Sequence, residues 1–139
     1  MKLVELLFEL SAKWRRWEEE FARQNGLTPG MVWVLMRLDE GEAVCSKELA
    51  KRIDLSLSRA SRLVDQMVNQ RLLYRDCDSE DRRRCTLSLS AAAAEIRIRI
   101  MNDLERLQSQ PQLQGQAEAW SRMIALVDSM KGELSTGDG

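Results

Sequence analysis

Leu3, Leu7, Leu10, Trp14, Trp17 and Phe21 recur at alternating spacings of four and three, the apolar stripe of an amphipathic helix that runs to about Gln24. Asn25 and Gly26 close it. So regular a heptad seam suits packing against a partner helix, and packing on the chain's own core leaves the same pattern. Thr28 then caps a short second helix with Pro29 in its first turn, carrying Met31, Val34, Leu35 and Leu38. Ser46 is the next expected N-cap, and Leu49, Ala50 and Ile53 line one face of about two turns. After Asp54 and Leu55, Ser56 caps a longer helix that turns Ala60, Leu63, Val64, Met67 and Val68 inward. Two such helices joined by a short turn are the helix-turn-helix pattern.

The period then changes. Leu72 to Arg75 reads as a strand, and Cys85, Leu87 and Leu89 alternate with Thr86 and Ser88 as a half-buried second one. The almost wholly charged run from Asp76 to Arg84 becomes the tip of a hairpin, although it lacks the Asn-Gly or Asp-Gly of a tight turn. Ser90 caps a further helix that begins with Ala91 to Ala94 and continues through Ile96, Ile100, Leu104 and Leu107. Pro111 and Gly115 interrupt it, and Ala117, Trp120, Ile124 and Val127 start a final seven-residue pattern, with Leu113 before it and Leu134 after it. The fold class expected is mainly α with a small β-hairpin wing: a winged helix-turn-helix over residues 28–90, flanked by dimerisation helices at 1–25 and 91–134 in a single domain, 1–139.

Composition supports one compact domain, with 139 residues, 44% of them hydrophobic and 31% charged. Four of the seven aromatic residues are Trp, which is costly to leave in water and so belongs in a core or an interface. No window approaches a membrane span and Lys2, Glu5 and Glu9 break the first ten residues, so a cytoplasmic protein without membrane contact is expected. The net charge of −1 hides an uneven distribution: ten bases stand against seven acids between Ser46 and Ser90, a net +3 that leaves −4 for the rest. A basic middle with acidic ends suits a polyanionic partner.

The helix after Ser56 carries that charge in a specific arrangement. Arg59, Arg62 and Gln66 fall at i, i+3 and i+7 and point one way. Arg pairs bidentately with guanine and Gln with adenine, while Ser56, Ser58 and Ser61 near the helix start suit phosphates. Arg82, Arg83 and Arg84 on the hairpin tip suit a minor groove, with Asp78 and Asp81 expected to orient their guanidinium groups.

These residues carry a family resemblance. Leu27-Thr28, Glu48-Leu49-Ala50, Leu55-Ser56-Leu57-Ser58, Ser61-Arg62-Leu63-Val64-Asp65, Asp78-Ser79-Glu80-Asp81-Arg82-Arg83 and Leu87-Ser88-Leu89-Ser90 resemble the MarR family of winged-helix regulators over about residues 27–95. The resemblance implies a homodimer that binds a pseudo-palindromic double-stranded DNA operator, usually as a repressor, and that responds to a small aromatic ligand or to cysteine oxidation. By motif it places Ser56, Ser58, Arg59, Ser61 and Arg62 in the major groove, and Arg82 and Arg83 on the wing. Arg71 stands where the family's recognition helix usually ends in glycine, and Ala93 where a glycine follows the second strand. The N-terminal helix has no cysteine, so the peroxide-sensing mechanism that uses a thiol there does not carry over.

The remaining expectations concern dimer, effector and thiols. Leu7, Leu10, Trp14, Leu113, Trp120, Ile124 and Val127 are the expected dimer interface, because two terminal seams exceed what one small core needs. Trp14, Trp17, Trp33 and Met36 are the candidate pocket for a small aromatic or apolar effector, with plain core packing as the alternative. Cys45, Cys77 and Cys85 form no CxxC pair and the chain has no His, so no metal or cofactor is expected, and the thiols read as reduced. A thiol trigger at Cys77 or Cys85, which flank the wing and could face each other across its strands, is the rival to an effector. No nucleophile elbow, phosphate-cradling loop or metal-ligand cluster suggests an enzyme. The other rival is a helix-turn-helix module that binds proteins without specific DNA binding, for which an uncharged wing would be the sign.

Overall fold

The computed structural model describes residues 2–111 and 115–136. Its elements are α1 (Lys2–Gln24), α2 (Pro29–Arg37), α3 (Ser46–Arg52), α4 (Leu57–Asn69), β1 (Leu73–Cys77), β2 (Cys85–Leu89), α5 (Ala91–Gln108) and α6 (Ala117–Thr136). They divide into two compact units, one ending at Met101 and the other beginning at Asn102.

The core of the first unit takes in inward positions that the periodicity marks, with Val32 added to those expected of α2. Met31, Val32, Val34 and Leu35 of α2, Leu49 of α3, Ala60, Val64 and Met67 of α4, and Leu73 and Leu87 of the hairpin are all fully buried. Each large apolar side chain so placed contributes about 1.5–3 kcal/mol. Helix α2 approaches α4 closely, and a Cβ added at Gly30 would stand 3.2 Å from Leu63 Cδ2. Val68, expected inward, is only half-buried.

Local hydrogen bonds set the helix ends. Thr28, Ser56 and Ser90 cap as expected, their side chains accepting from the backbone N–H of Met31, Arg59 and Ala93. The cap of α3 differs: Cys45, not Ser46, holds the extended capping conformation, and its Sγ accepts from Glu48 N at 3.5 Å. That shift puts Glu48 three residues past the cap, yet its carboxylate turns forward to Arg52 Nε at 3.3 Å and does not close a capping box. Helices α1, α3 and α4 each end with a left-handed residue followed by a bond back five positions: Leu27 N to Ala22 O, Leu55 N to Ala50 O and Leu72 N to Met67 O. Gly26 takes that conformation freely, but Asp54 (φ 55°) and Arg71 (φ 60°) adopt it with a Cβ, at a cost of about 1–2 kcal/mol each.

The hairpin is antiparallel, with Leu73 opposite Leu89, Arg75 opposite Leu87 and Cys77 opposite Cys85. β1 extends two residues beyond the expected Arg75, because ladder pairing needs only backbone groups and continues where the side chains are exposed. Val44, before α3, adds a bridge to the hairpin by exchanging backbone bonds of 3.0 and 2.7 Å with Leu87. In the second unit most of the described apolar side chains of α6 stand open, with Trp120 at 40%, Ile124 at 69% and Val127 at 50% exposure, while Met123 is half-buried.

Candidate nucleic-acid interface

Helix α4 buries Ala60, Leu63, Val64 and Met67, so the opposite face is presented outward by the same packing that holds the helix. Ser58, Arg59, Arg62 and Gln66 are exposed there, and Ser61 is half-buried at its flank. Among the described residues the side chains of Arg59, Arg62 and Gln66 hold no hydrogen bond or ion pair. Their donors stay unspent. Ser56 Oγ is occupied as the cap by Arg59 N at 3.3 Å, which leaves its hydroxyl proton to donate outward.

The wing tip between the strands is organised by its own carboxylates, in a pattern that corrects one expectation. Asp81 pairs with Arg83 at 3.4 Å and with Arg84 at 3.9 Å, whereas Arg82 has no ion pair among the described residues. Asp78 orients no guanidinium among the described residues: its Oδ1 accepts from Glu80 N at 3.0 Å, and its backbone N–H donates to Arg84 O at 2.8 Å. An aspartate two residues before an N–H closes a local turn more readily than it reaches a long arginine, so Asp78 shapes the loop and Asp81 holds the charge. Arg83 remains 94% exposed despite its partner.

Three further pairs, which periodicity does not reveal, set how these parts are held. Asp65 on α4 accepts from Arg75 on β1 at 2.6 Å, tying the outward helix to the wing strand. Arg52 forms a two-pronged pair with Glu42, both contacts at 2.7 Å, and Arg52 and Arg37 donate to each other's carbonyls across the α2–α3 connection. The Arg52 guanidinium, aided by the Asp39 N–H, pulls the Glu42 carboxyl down to about 2. Arg97 of α5 donates to Leu35 O and to Asp39. Arg52 and Arg75, counted in the basic middle, are therefore engaged within the fold, and the outward positive charge falls to Lys47 and Lys51 of α3, to α4 with Arg71 just after it, and to the tip.

The thiols differ from the reduced set expected. Cys77 and Cys85 are joined in a disulfide across the last rung of the hairpin, with Cα atoms 3.9 Å apart, while Cys45 is free and exposed. Directly opposed residues on paired strands bring their Cβ atoms within reach, a juxtaposition that depends on register.

Of the expected dimer residues, Leu7 and Trp14 are half-buried, Leu10 is 49% exposed, Trp120, Ile124 and Val127 are exposed, and Leu113 lies outside the described residues. The apolar surface of α1 is broader than the predicted seam, since Val4, Leu6 and Phe8 are exposed too. Trp14, Trp17, Trp33 and Met36 are each half-buried. Trp14 and Trp17 stack with centroids 5.0 Å apart, and Trp14 and Trp33 both donate their indole N–H to Glu18 Oε1, at 2.6 and 2.8 Å. Glu18, only 6% exposed, sits among charged neighbours in sequence, so nothing in the pattern marks it as buried. No group of His, Cys, Asp and Glu suited to a metal occurs among the described residues, and no described helix is long and apolar enough to cross a membrane.

A capped helix pair whose second helix faces outward with unspent arginines, beside a two-stranded arm, defines a winged helix-turn-helix protein. The sequence model of the MarR family matches residues 25–84 of this chain. A search of curated protein sequences gives no significant match. Among solved structures, the transcription regulator MarR from Oenococcus oeni PSU-1 is similar at 23% identity and a TM-score of 0.76, over 94% of this chain and 98% of that one. Reduced AbfR bound to DNA gives 16% identity and a TM-score of 0.74, over 96% and 92%. S. aureus MepR in its DNA-binding conformation gives 17% and 0.72, over 96% and 99%.

Proposed function

We propose that the chain is a sequence-specific transcription regulator that binds double-stranded DNA as a homodimer, with α4 in the major groove and the wing against phosphates and the minor groove. The observation that carries this reading is the outward face of α4, where Arg59, Arg62 and Gln66 stand exposed with their donors unspent. The arginines of the tip supply charge that carries no sequence information by itself but raises affinity and fixes orientation. The similar AbfR structure is of a DNA complex, and MepR was solved in a DNA-binding conformation, which supports the same use of the fold here. The open apolar faces of α1 and α6 support a second copy as partner, and a two-fold dimer reads a pseudo-palindrome. Repression follows wherever such an operator overlaps a promoter. The charged recognition helix and wing disfavour a protein-binding module, and a family of transcription regulators disfavours an enzyme.

Selection of bound duplexes from a random pool tests the proposal. An enriched inverted repeat is expected, with an affinity that falls linearly in the logarithm of salt concentration. A pool that stays unenriched overturns it. The same reading extends to a small aromatic or apolar effector on the half-buried faces of Trp14, Trp17 and Trp33 beside Met36. Such a ligand releases DNA only by binding the free and the DNA-bound dimer with different affinity, so the check is loss of operator binding and not occupancy alone.

A further inference from the structure

We propose that Cys77 and Cys85 are a reversible thiol–disulfide exchange site within the wing, that their partner is a low-molecular-weight thiol–disulfide couple of the glutathione class, and that the bond raises affinity for DNA. The proposal rests on the DNA-binding reading above and names a regulation of that same wing.

Three observations carry it. The register places the two cysteines opposite each other at the last rung of the ladder, so the bond closes the neck of the arginine-bearing tip. Cys77 is exposed and Cys85 half-buried, and both line an open depression with Arg75, Asp78, Ser79 and Arg82, so a small attacking thiol has access. Arginines beside a sulfur favour the thiolate form and the approach of an anionic reagent. The reduced state also has a local partner: Cys85 Sγ lies 3.2 Å from the Arg82 carbonyl oxygen, to which a thiol can donate. Cys45, which caps α3, has no thiol partner across a ladder.

The exchange balances with the named couple alone. One wing thiolate attacks a sulfur of glutathione disulfide and expels a glutathione thiolate, leaving a mixed disulfide. The second wing thiolate attacks the protein sulfur of that bond and expels the other glutathione. The two wing thiols lose two electrons and two protons, and one glutathione disulfide becomes two glutathiones; reduction runs the same steps backwards.

The consequence follows from what else holds the tip. Between Cys77 and Cys85 the loop is tied by the Asp78–Arg84 backbone bond, the Arg84 N to Asp81 O bond and exposed ion pairs of Asp81. Exposed pairs are worth little, so without the covalent neck the final rung frays and the arginines sample more conformations before binding. Binding must then order them, which weakens affinity.

The test uses the full chain carrying Cys45→Ser, equilibrated with glutathione disulfide or with reduced glutathione, and titrated against a duplex recovered from a random pool. Iodoacetamide adducts counted by mass report the thiols: none is expected after oxidation and two after reduction. The oxidised form is expected to bind about tenfold more tightly. Adding Cys77→Ser and Cys85→Ser should give one affinity in both buffers, near that of the reduced form. Equal affinity in both states while the adduct count changes overturns the proposal, as does failure of the oxidant to protect both thiols, or a shift that survives in the serine variant. If no form binds any duplex although circular dichroism shows the fold intact, the DNA-binding reading itself falls, and the switch with it.

Discussion

Arg62 is exposed, unpaired among the described residues and on the face of α4 opposite its buried row, so its removal costs the fold nothing it rests on. Arg62→Ala is expected to cost about 1–3 kcal/mol of sequence-specific binding, the range of a lost bidentate base contact, with thermal stability unchanged. A variant that keeps the wild-type ratio between operator and random DNA would remove Arg62 from the reading set. Arg71 shows the converse, a residue whose backbone works against its side chain. It closes α4 at φ 60°, and Arg71→Gly relieves that conformation at the expense of a freer unfolded chain. The net expectation is a gain of up to about 1 kcal/mol in denaturant unfolding, and a loss would show that the Arg71 side chain contributes more than its backbone costs.

At the scale of elements, the tip and the α2–α3 connection behave differently because one charge pair is open and the other is clamped. Arg83 is nearly free despite Asp81, so Arg83→Ala should weaken binding to all duplexes alike and reduce the salt slope by about one. Arg82 has no ion pair among the described residues and should behave in the same way. Unchanged slopes in both variants would take the wing off the DNA. The Glu42–Arg52 clamp instead holds the connection before α3. With its carboxyl held near 2 against an ordinary 4.5, Glu42 favours the folded state fully above about pH 4.5 and loses that contribution as the pH falls towards 2. The stability difference between wild type and Glu42→Gln should therefore be present at neutral pH and vanish across that interval. A difference that does not change with pH would show that the clamp acts by packing and not by charge.

The whole molecule raises the question of what covers its apolar surface. Phe8 on α1 is 69% exposed and Ile124 on α6 equally so, with Leu10 and Val127 close to half exposed. Exposed apolar rows of this kind, one on each unit, mark an interface. Equilibrium sedimentation at micromolar concentration is expected to show a dimer, and Leu10→Glu with Ile124→Glu should dissociate it and abolish operator binding while leaving binding to random DNA weak but measurable. A folded monomer in the wild type would refute the arrangement, since two recognition helices need a fixed separation of about one DNA turn to read two half-sites.

Much of this protein is legible in its sequence because much of it is local. The order of elements, the caps at Thr28, Ser56 and Ser90, the inward row of α4 and the charged tip all follow from periods and from bonds spanning a few residues, which any reader of the chain can trace. The left-handed turn at Arg71 is foreseeable through the family resemblance, which sets a glycine there. Tertiary structure decided the rest, in places where the partner is distant along the chain or chosen by register. Glu18 is buried because two indoles, one on another helix, reach a single carboxylate oxygen. Asp65 meets Arg75 and Glu42 meets Arg52 because packing of elements brings them together, and Cys77 meets Cys85 because the ladder runs two rungs past the last residue that alternation assigns to the strand. A hydrophobic period states which side of an element faces inward; it does not state what stands opposite, and ion pairs, buried carboxylates and disulfides are determined by what stands opposite.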